Sequence, residues 1–184
     1  RNQEDITSRL KIKLDNIQYD KKFVFSGLGY NFEPSEISAA FGLEQLKKLK
    51  KNIDTRERNF KFLHNFFSKF SNIVNLPITN LNARTGWLAF PLTIKNNLKF
   101  SRKDFQIFFE KNNIQTRTIF TGNILKQPAM KGLKHNSKKD AGEKSNYVMK
   151  NGILLGCHHG LSTKDLKYIT ETFLKFLKLK KYIT

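Results

Sequence analysis

The sequence predicts an α/β fold, with one long helix leading into a small α/β sandwich. Three observations carry that expectation. Apolar residues recur at helical spacing from Ala39 to Phe70. From residue 86 the pattern alternates strand, helix, strand, helix, strand, helix, which folds as helices laid on a sheet. The chain has 184 residues, 39 % of them apolar, and seventeen are Phe. That is enough to fill a core, which excludes wholesale disorder.

The elements follow in order. Residues 1 to 22 are polar and weakly patterned, and read as an irregular lead-in. Lys22 to Ser26 holds Phe23, Val24 and Phe25, a short extended piece. Gly27-Leu28-Gly29-Tyr30-Asn31 reads as a turn, since two glycines within three residues permit positive φ. Pro34 opens the long helix, because its missing N–H has no partner in a first turn. Glu33 and Glu36 place negative charge at the positive end of the dipole. The apolar stripe runs through Leu43, Leu46, Leu49, Ile53, Phe60, Leu63 and Phe67. The helix is then roughly 50 Å long at 1.5 Å per residue. That is too long for a lone compact domain of this size, so it is expected to bridge two domains or lie along a subunit interface.

After Pro77 the period changes. Trp87 to Ile94 reads as a strand, with Pro91 pointing to an edge or a bulge. Ser101 is the expected N-cap of a helix from Arg102 to Lys111, with Phe105, Phe108 and Phe109 on its buried side. Ile114 to Phe120 reads as a strand ended by the turn Thr121-Gly122-Asn123. Lys131 to Lys144 is a polar loop, Ser145 to Asn151 a short helix and Ile153 to Gly156 a short buried strand. Ser162 and Asp165 resemble a capping box ahead of a last helix from about Thr163 to Leu179.

The charge of +19 has a polyanion partner as its first reading. Its distribution argues otherwise. There are 27 Lys and only 7 Arg, spread over almost the whole chain. Arg is the residue that forks onto phosphates and guanine edges. The densest run, Lys47, Lys48, Lys50 and Lys51, falls inside the amphipathic helix and reads as its solvated face. Attraction of an anionic small substrate remains open. No apolar run approaches the roughly 20 residues of a membrane span. Cys157 is the single cysteine, so an intrachain disulfide and a multi-cysteine metal site are excluded. The chain opens on Arg1 with no apolar signal segment, so a preceding segment is expected and targeting is not read from it.

Four places carry candidate chemistry. His158 and His159 follow Cys157, but neighbours in an extended segment point opposite ways, and His64 and His135 are remote. No metal site is expected. Cys157 at the end of a buried strand reads as packing rather than as a nucleophile. Thr116-Arg-Thr-Ile-Phe-Thr-Gly-Asn-Ile-Leu-Lys-Gln-Pro128 sets an Arg in an apolar strand before a glycine turn and two amides. A buried Arg needs a counter-charge. Arg117 is therefore either paired inside the domain or a ligand contact, with Asn123 and Gln127 donating beside it. Gly29-Tyr30-Asn31 is either an ordinary turn or an amide reaching a phosphate.

These residues add up to a resemblance. Leu28-Gly-Tyr-Asn31, followed by Glu36-Ile-Ser-Ala-Ala-Phe-Gly-Leu-Glu-Gln-Leu46, closely resembles the start of the C-terminal part of the DegT/DnrJ/StrS family. These are pyridoxal-phosphate enzymes of nucleotide-sugar biosynthesis. The likeness continues through Arg56, Trp87 to Pro91, Ile114 to Arg117 and the terminal helix, covering residues 22 to 178. The run from Thr116 to Pro128 is similar to the branch of 4-keto-6-deoxy-sugar 3-dehydratases, where Arg-x-x-Phe-x-Gly-Asn-x-x-x-Gln-Pro recurs.

The resemblance implies an aspartate-aminotransferase-like fold, pyridoxal-phosphate fold type I. Residues 1–33 would be a lead-in from a large domain, 34–72 the long interdomain helix, and 73–184 the small C-terminal α/β domain. It implies pyridoxal or pyridoxamine 5'-phosphate as cofactor, a nucleotide-linked 4-keto sugar as substrate, and a cytoplasmic homodimer with shared active sites in polysaccharide or lipopolysaccharide biosynthesis. Nucleic acid and membrane are not expected as partners. Asn31 matches the Asn that reaches the cofactor phosphate of the neighbouring subunit. Arg117 and Asn123, with Gln127, would lie near the sugar. The catalytic Lys, or the His that replaces it in the 3-dehydratases, belongs to the large domain, so no catalytic residue is expected in this chain. Dehydratases often carry a His two residues before Gly-Tyr-Asn, where this sequence has Gly27, and that leaves a sugar aminotransferase open. A basic nucleic-acid-binding module and a noncatalytic helical interaction protein are the distant alternatives. An iron–sulfur cluster has no support, since no cysteine precedes Cys157.

Overall fold

The computed structural model describes residues 12–14, 17–19, 24, 27, 30, 32, 34–80, 82–134 and 142–183. They divide into two compact units, Arg1–Leu43 and Glu44–Thr184. In the first unit the expected irregular lead-in contains a small hairpin. Strand β1 (Ile12–Leu14) pairs antiparallel with β2 (Ile17–Tyr19), Ile12 opposite Tyr19. Alternating Ile-Lys-Leu and Ile-Gln-Tyr form a strand pattern too short to stand out from the polar residues around it. The extended piece expected at Lys22 to Ser26 lies mostly outside the described residues.

Helix α1 spans Glu36–Phe67, 32 residues, and closes with a 3-10 turn at Ser68–Phe70. Its first turn bond runs from Ala39 N–H to the Ser35 carbonyl, so Pro34 stands just ahead of the helix. Only its second half is buried, through Asn59, Phe60, Leu63 and Phe67. Leu43 and Leu46 on the same stripe are each 63 % exposed. Among the described residues no helix is long and apolar enough to cross a membrane.

The second unit is built on a four-stranded antiparallel sheet. Its strands are β3 (Val74–Asn75), β4 (Ala89–Ile94), β5 (Thr116–Arg117) and β6 (Gly152–Gly156), in the order β3-β4-β6-β5. The helices are α2 (Arg102–Lys111), α3 (Glu143–Asn151) and α4 (Thr163–Leu179). Alternation sorts β4 cleanly. Phe90, Leu92 and Ile94 are buried, while Ala89, Pro91 and Thr93 are half-buried on the other face. Phe67 of α1, Phe105 of α2 and Phe173 of α4 meet in the core with Phe90. Phe67 stacks on Phe90 at 5.5 Å and meets Phe173 edge-on at 5.0 Å. Truncating one such buried ring to Ala costs about 3–5 kcal/mol, so this cluster sets the unit's stability.

Both expected caps form. The Ser101 hydroxyl accepts from the Asp104 N–H, and the Asp104 carboxylate accepts from the Ser101 N–H. Ser162 and Asp165 repeat the arrangement at α4. Pro91 lies in a strand with neighbours on both sides. However, β3 reaches only Thr93 and Ile94, so at Pro91 β4 pairs with β6 alone, opposite Leu154. The missing N–H therefore breaks no ladder there.

The strand expected over Ile114 to Phe120 shortens to two residues. After Arg117 the chain leaves the sheet and turns, with the Gly122 N–H bonded to the Ile119 carbonyl at 2.9 Å. Gly122 has φ +68°, which glycine adopts without strain.

Candidate functional site

The site is built from β5, the loop that follows it, and the segment joining β6 to α4. The start of β5 is fastened to α2. The Thr116 hydroxyl donates to Glu110 at 2.9 Å and accepts from the Gln106 amide at 3.2 Å. Thr116 is the buried member of the pair, and Arg117, opposite Leu154, faces the other way. The expectation that Arg117 is a buried cation is thereby corrected. Alternation on a half-covered sheet puts the threonine inside and the arginine outside. Among the described residues its guanidinium makes no hydrogen bond and no ion pair. Glu110, the nearest acid in sequence, is committed to Thr116.

Arg117 lines a groove of about 550 Å³ together with Leu88, Leu154, Gly156, His158, Asp165 and Tyr168. His158 is held in place from two sides. Its carbonyl accepts from the buried Asn59 amide at 2.9 Å, and its Nδ1 accepts from the Gly160 N–H at 3.2 Å. His159 takes the opposite course, its Nδ1 lying 3.3 Å from Arg56 Nε. The two rings therefore diverge, as their adjacency demands. Among the described residues no three His, Cys, Asp or Glu side chains come together as a metal site. Cys157, just before them, is fully buried, with Sγ 3.6 Å from the Arg56 carbonyl, and burial pushes its thiol up to about 12. It packs as a neutral thiol.

The two amides expected to donate to a ligand have donors engaged within the protein. Asn123 is buried. Its side-chain oxygen accepts from the Leu125 N–H at 3.0 Å, and its amide donates to Asn146 of α3 at 2.9 Å. Gln127 donates to the Thr121 carbonyl at 3.1 Å. Both shape the loop that follows Arg117. The clamp is tight, since a Cβ placed on Gly122 would lie 2.5 Å from Met149 Cγ. Phe120, at the crest of that loop, is 90 % exposed. Asn31 lies outside the described residues. Sequence reasoning missed His158 as a neighbour of Arg117. The available signal was the pair Gly156 and Gly160, which bracket it and let its ring lie flat against backbone.

A long helix feeding a small antiparallel sheet, with one sheet face covered and the other partly open, defines the C-terminal small domain of an aminotransferase-like fold. The solved E. coli GDP-4-keto-6-deoxy-D-mannose-3-dehydratase with bound hydrated PLP superposes at a TM-score of 0.72 and 28 % identity, over 82 % of this chain and 38 % of that one. The lipopolysaccharide biosynthesis protein RfbH of Salmonella typhimurium is 30 % identical over 163 residues, 88 % of this chain and 37 % of RfbH. The GDP-4-keto-6-deoxy-D-mannose 3-dehydratase of Escherichia coli O55:H7 is 30 % identical over 160 residues, 87 % of this chain and 40 % of the enzyme. The sequence pattern of the DegT/DnrJ/EryC1/StrS aminotransferase family matches residues 3–174, and the chain belongs to that family. It spans about two-fifths of the length of the curated relatives it matches.

Proposed function

We propose that the chain is the C-terminal part of a pyridoxal-phosphate-dependent enzyme that removes the C3 hydroxyl of a nucleotide-linked 4-keto-6-deoxy sugar. One observation carries the reading. Arg117 stands unpartnered in a groove, at the head of a loop whose Gly122, Asn123 and Gln127 are spent on holding its shape. A rigid loop presenting a free guanidinium suits an anionic substrate. Similarity to the 3-dehydratases supports the reaction, and RfbH supports a place in lipopolysaccharide sugar synthesis. A sugar aminotransferase is the second reading, favoured by Gly27 where dehydratases often carry His.

The cofactor supplies the electron sink for breaking a bond near the sugar carbonyl. The chain's own part is to orient and bind. Arg117 takes the substrate's negative charge, and Asn123 and Gln127 hold the loop that aims it. Asn31 would hold the cofactor phosphate of the neighbouring subunit. An amide is a fitting donor for a phosphate oxygen. Exposed Leu43 and Leu46 on α1 support a homodimer with shared active sites. The test is incubation of the complete enzyme, with pyridoxamine phosphate, and GDP-4-keto-6-deoxy-D-mannose. Mass spectrometry should find a product without its C3 hydroxyl. A C4 amino product would establish the second reading, and an unchanged sugar would refute both.

A further inference from the structure

We infer that the groove between the open sheet face and the start of α4 binds the nucleoside diphosphate part of the sugar nucleotide, with His158 as the second diphosphate ligand beside Arg117. The inference rests on the nucleotide-sugar reading above and assigns a residue and a substrate part to the groove.

Two donors line this space. Arg117 is placed by the Thr116 anchors and by its register with Leu154. His158 is placed by its Gly160 bond. A Cβ built on Gly156 would meet His158 Cδ2 at 3.8 Å and Nε2 at 4.0 Å, so the ring lies over Gly156. Gly156 is two residues along β6 from Leu154, on the same face of the strand. With Nδ1 accepting from Gly160, the neutral ring carries its proton on Nε2. That N–H is the ring's free donor. The groove thus holds a planar fork and a second N–H with no acceptor among the described residues.

The remaining walls fit the rest of a nucleotide. Asp165 is the one carboxylate lining the groove, and its Oδ2 is held by the Ser162 N–H at 2.8 Å and hydroxyl at 2.6 Å. Those two bonds keep the carboxylate ionised at the cap of α4, and His158 is one of its electrostatic neighbours. Tyr168, whose hydroxyl donates to the Asn112 carbonyl at 3.1 Å, lines the groove together with the apolar Leu88 and Leu161. About 550 Å³ is in the range of pockets that hold nucleotide-sized ligands, far beyond one phosphate. Two donors for anionic oxygens beside an apolar wall match a diphosphate joined to a nucleoside.

Calorimetry on the full chain at 0.15 M salt tests this, with GDP, pyrophosphate, inorganic phosphate and guanosine as probes. GDP should bind at least tenfold more tightly than each of the other three. His158→Gln and Arg117→Met should each weaken GDP tenfold or more with an unchanged melting temperature. Lys47→Met, far from the groove, should leave it unchanged. Equal affinity for GDP and pyrophosphate, or equal losses in the Lys47 variant, would mean diffuse attraction to a +19 chain and overturn the inference. Should a variant fail to fold, the His158 ring resonances of the wild-type protein decide. They must shift on adding GDP, and GDP binding without that shift removes His158 from the site. If the complete His158→Gln enzyme turns over its sugar nucleotide with normal KM, the groove assignment falls while the enzymatic reading stands.

Discussion

Replacing Gly122 by Ala attacks the loop that carries Arg117 and Phe120 at its tightest point. The new methyl group would lie 2.5 Å from Met149 Cγ, 2.7 Å from its Cβ and 3.2 Å from its Cα. A flexible side-chain end could swing away, but Cβ and Cα belong to helix α3 and cannot. The residue also sits at φ +68°, where an L side chain costs about 1–2 kcal/mol. Overpacking against a fixed helix adds about 1–3 kcal/mol. The expected loss is therefore about 2–5 kcal/mol, which for a protein of this size lowers the melting temperature by about 4–20 °C. Thermal unfolding followed by circular dichroism measures it. Gly122→Ala combined with Met149→Ala should recover part of the packing cost but none of the backbone cost, so the two changes must be coupled. A melting temperature within 2 °C of wild type for the single variant would refute the claim that α3 clamps this loop.

Three further outcomes follow from the same geometry. Arg117→Lys should leave the melting temperature unchanged, since the guanidinium has no partner among the described residues, while raising the KM of the complete enzyme about tenfold because Lys lacks the planar fork; a large stability loss with normal kinetics would make Arg117 structural. Hydrogen bonds from Ser101 and Ser162 hold the Asp104 and Asp165 carboxyls below the usual carboxylate range. Their stabilisation is complete above the unfolded value of about pH 4 and is lost as pH falls through the folded values, so Ser101→Ala with Ser162→Ala should flatten the acid limb of a melting-temperature profile. Cys157, with its thiol pushed up by burial, should resist iodoacetamide at pH 8 in the native protein and react fully in urea; rapid native labelling would show that the segment opens.

The elements that sequence reasoning placed well are those with a long period or a strong cap. Helix α1 announces itself through its apolar stripe, α2 through its Ser101 N-cap and α4 through its Ser-x-x-Asp box, and both caps form. The elements it misjudged are short. Two three-residue strands near the start carry too few alternations to register. The strand expected over Ile114 to Phe120 ends at Arg117 because the turn closed by Gly122 begins before the apolar residues run out. Phe120 then looks like a core residue in the sequence yet is 90 % exposed. The site was legible as a set of residues but not as a set of roles. Arg117 was singled out because an arginine in an apolar run demands a counter-charge. The structure keeps the residue and changes the reason, since alternation turns it outward and leaves it without one.

That change of reason ties the motif together. In the stretch from Thr116 to Pro128, the inward residues do structural work. Thr116 bonds Glu110 and Gln106, Ile119 presses on Gly152, Asn123 bonds Asn146, and Gln127 bonds the Thr121 carbonyl. The outward residues, Arg117 and Phe120, are left with none. A loop that existed only to connect β5 with α3 would have no need of so many internal bonds, and ordering each residue carries an entropic cost of about 1–2 kcal/mol. Fixing the backbone in advance removes that cost from ligand binding, because the point from which Arg117 extends is set before the ligand arrives. The spacing of Arg, Gly, Asn and Gln is therefore the spacing of one binding group and its supports. Replacing a support should act on affinity through the orientation of Arg117, without any contact of its own.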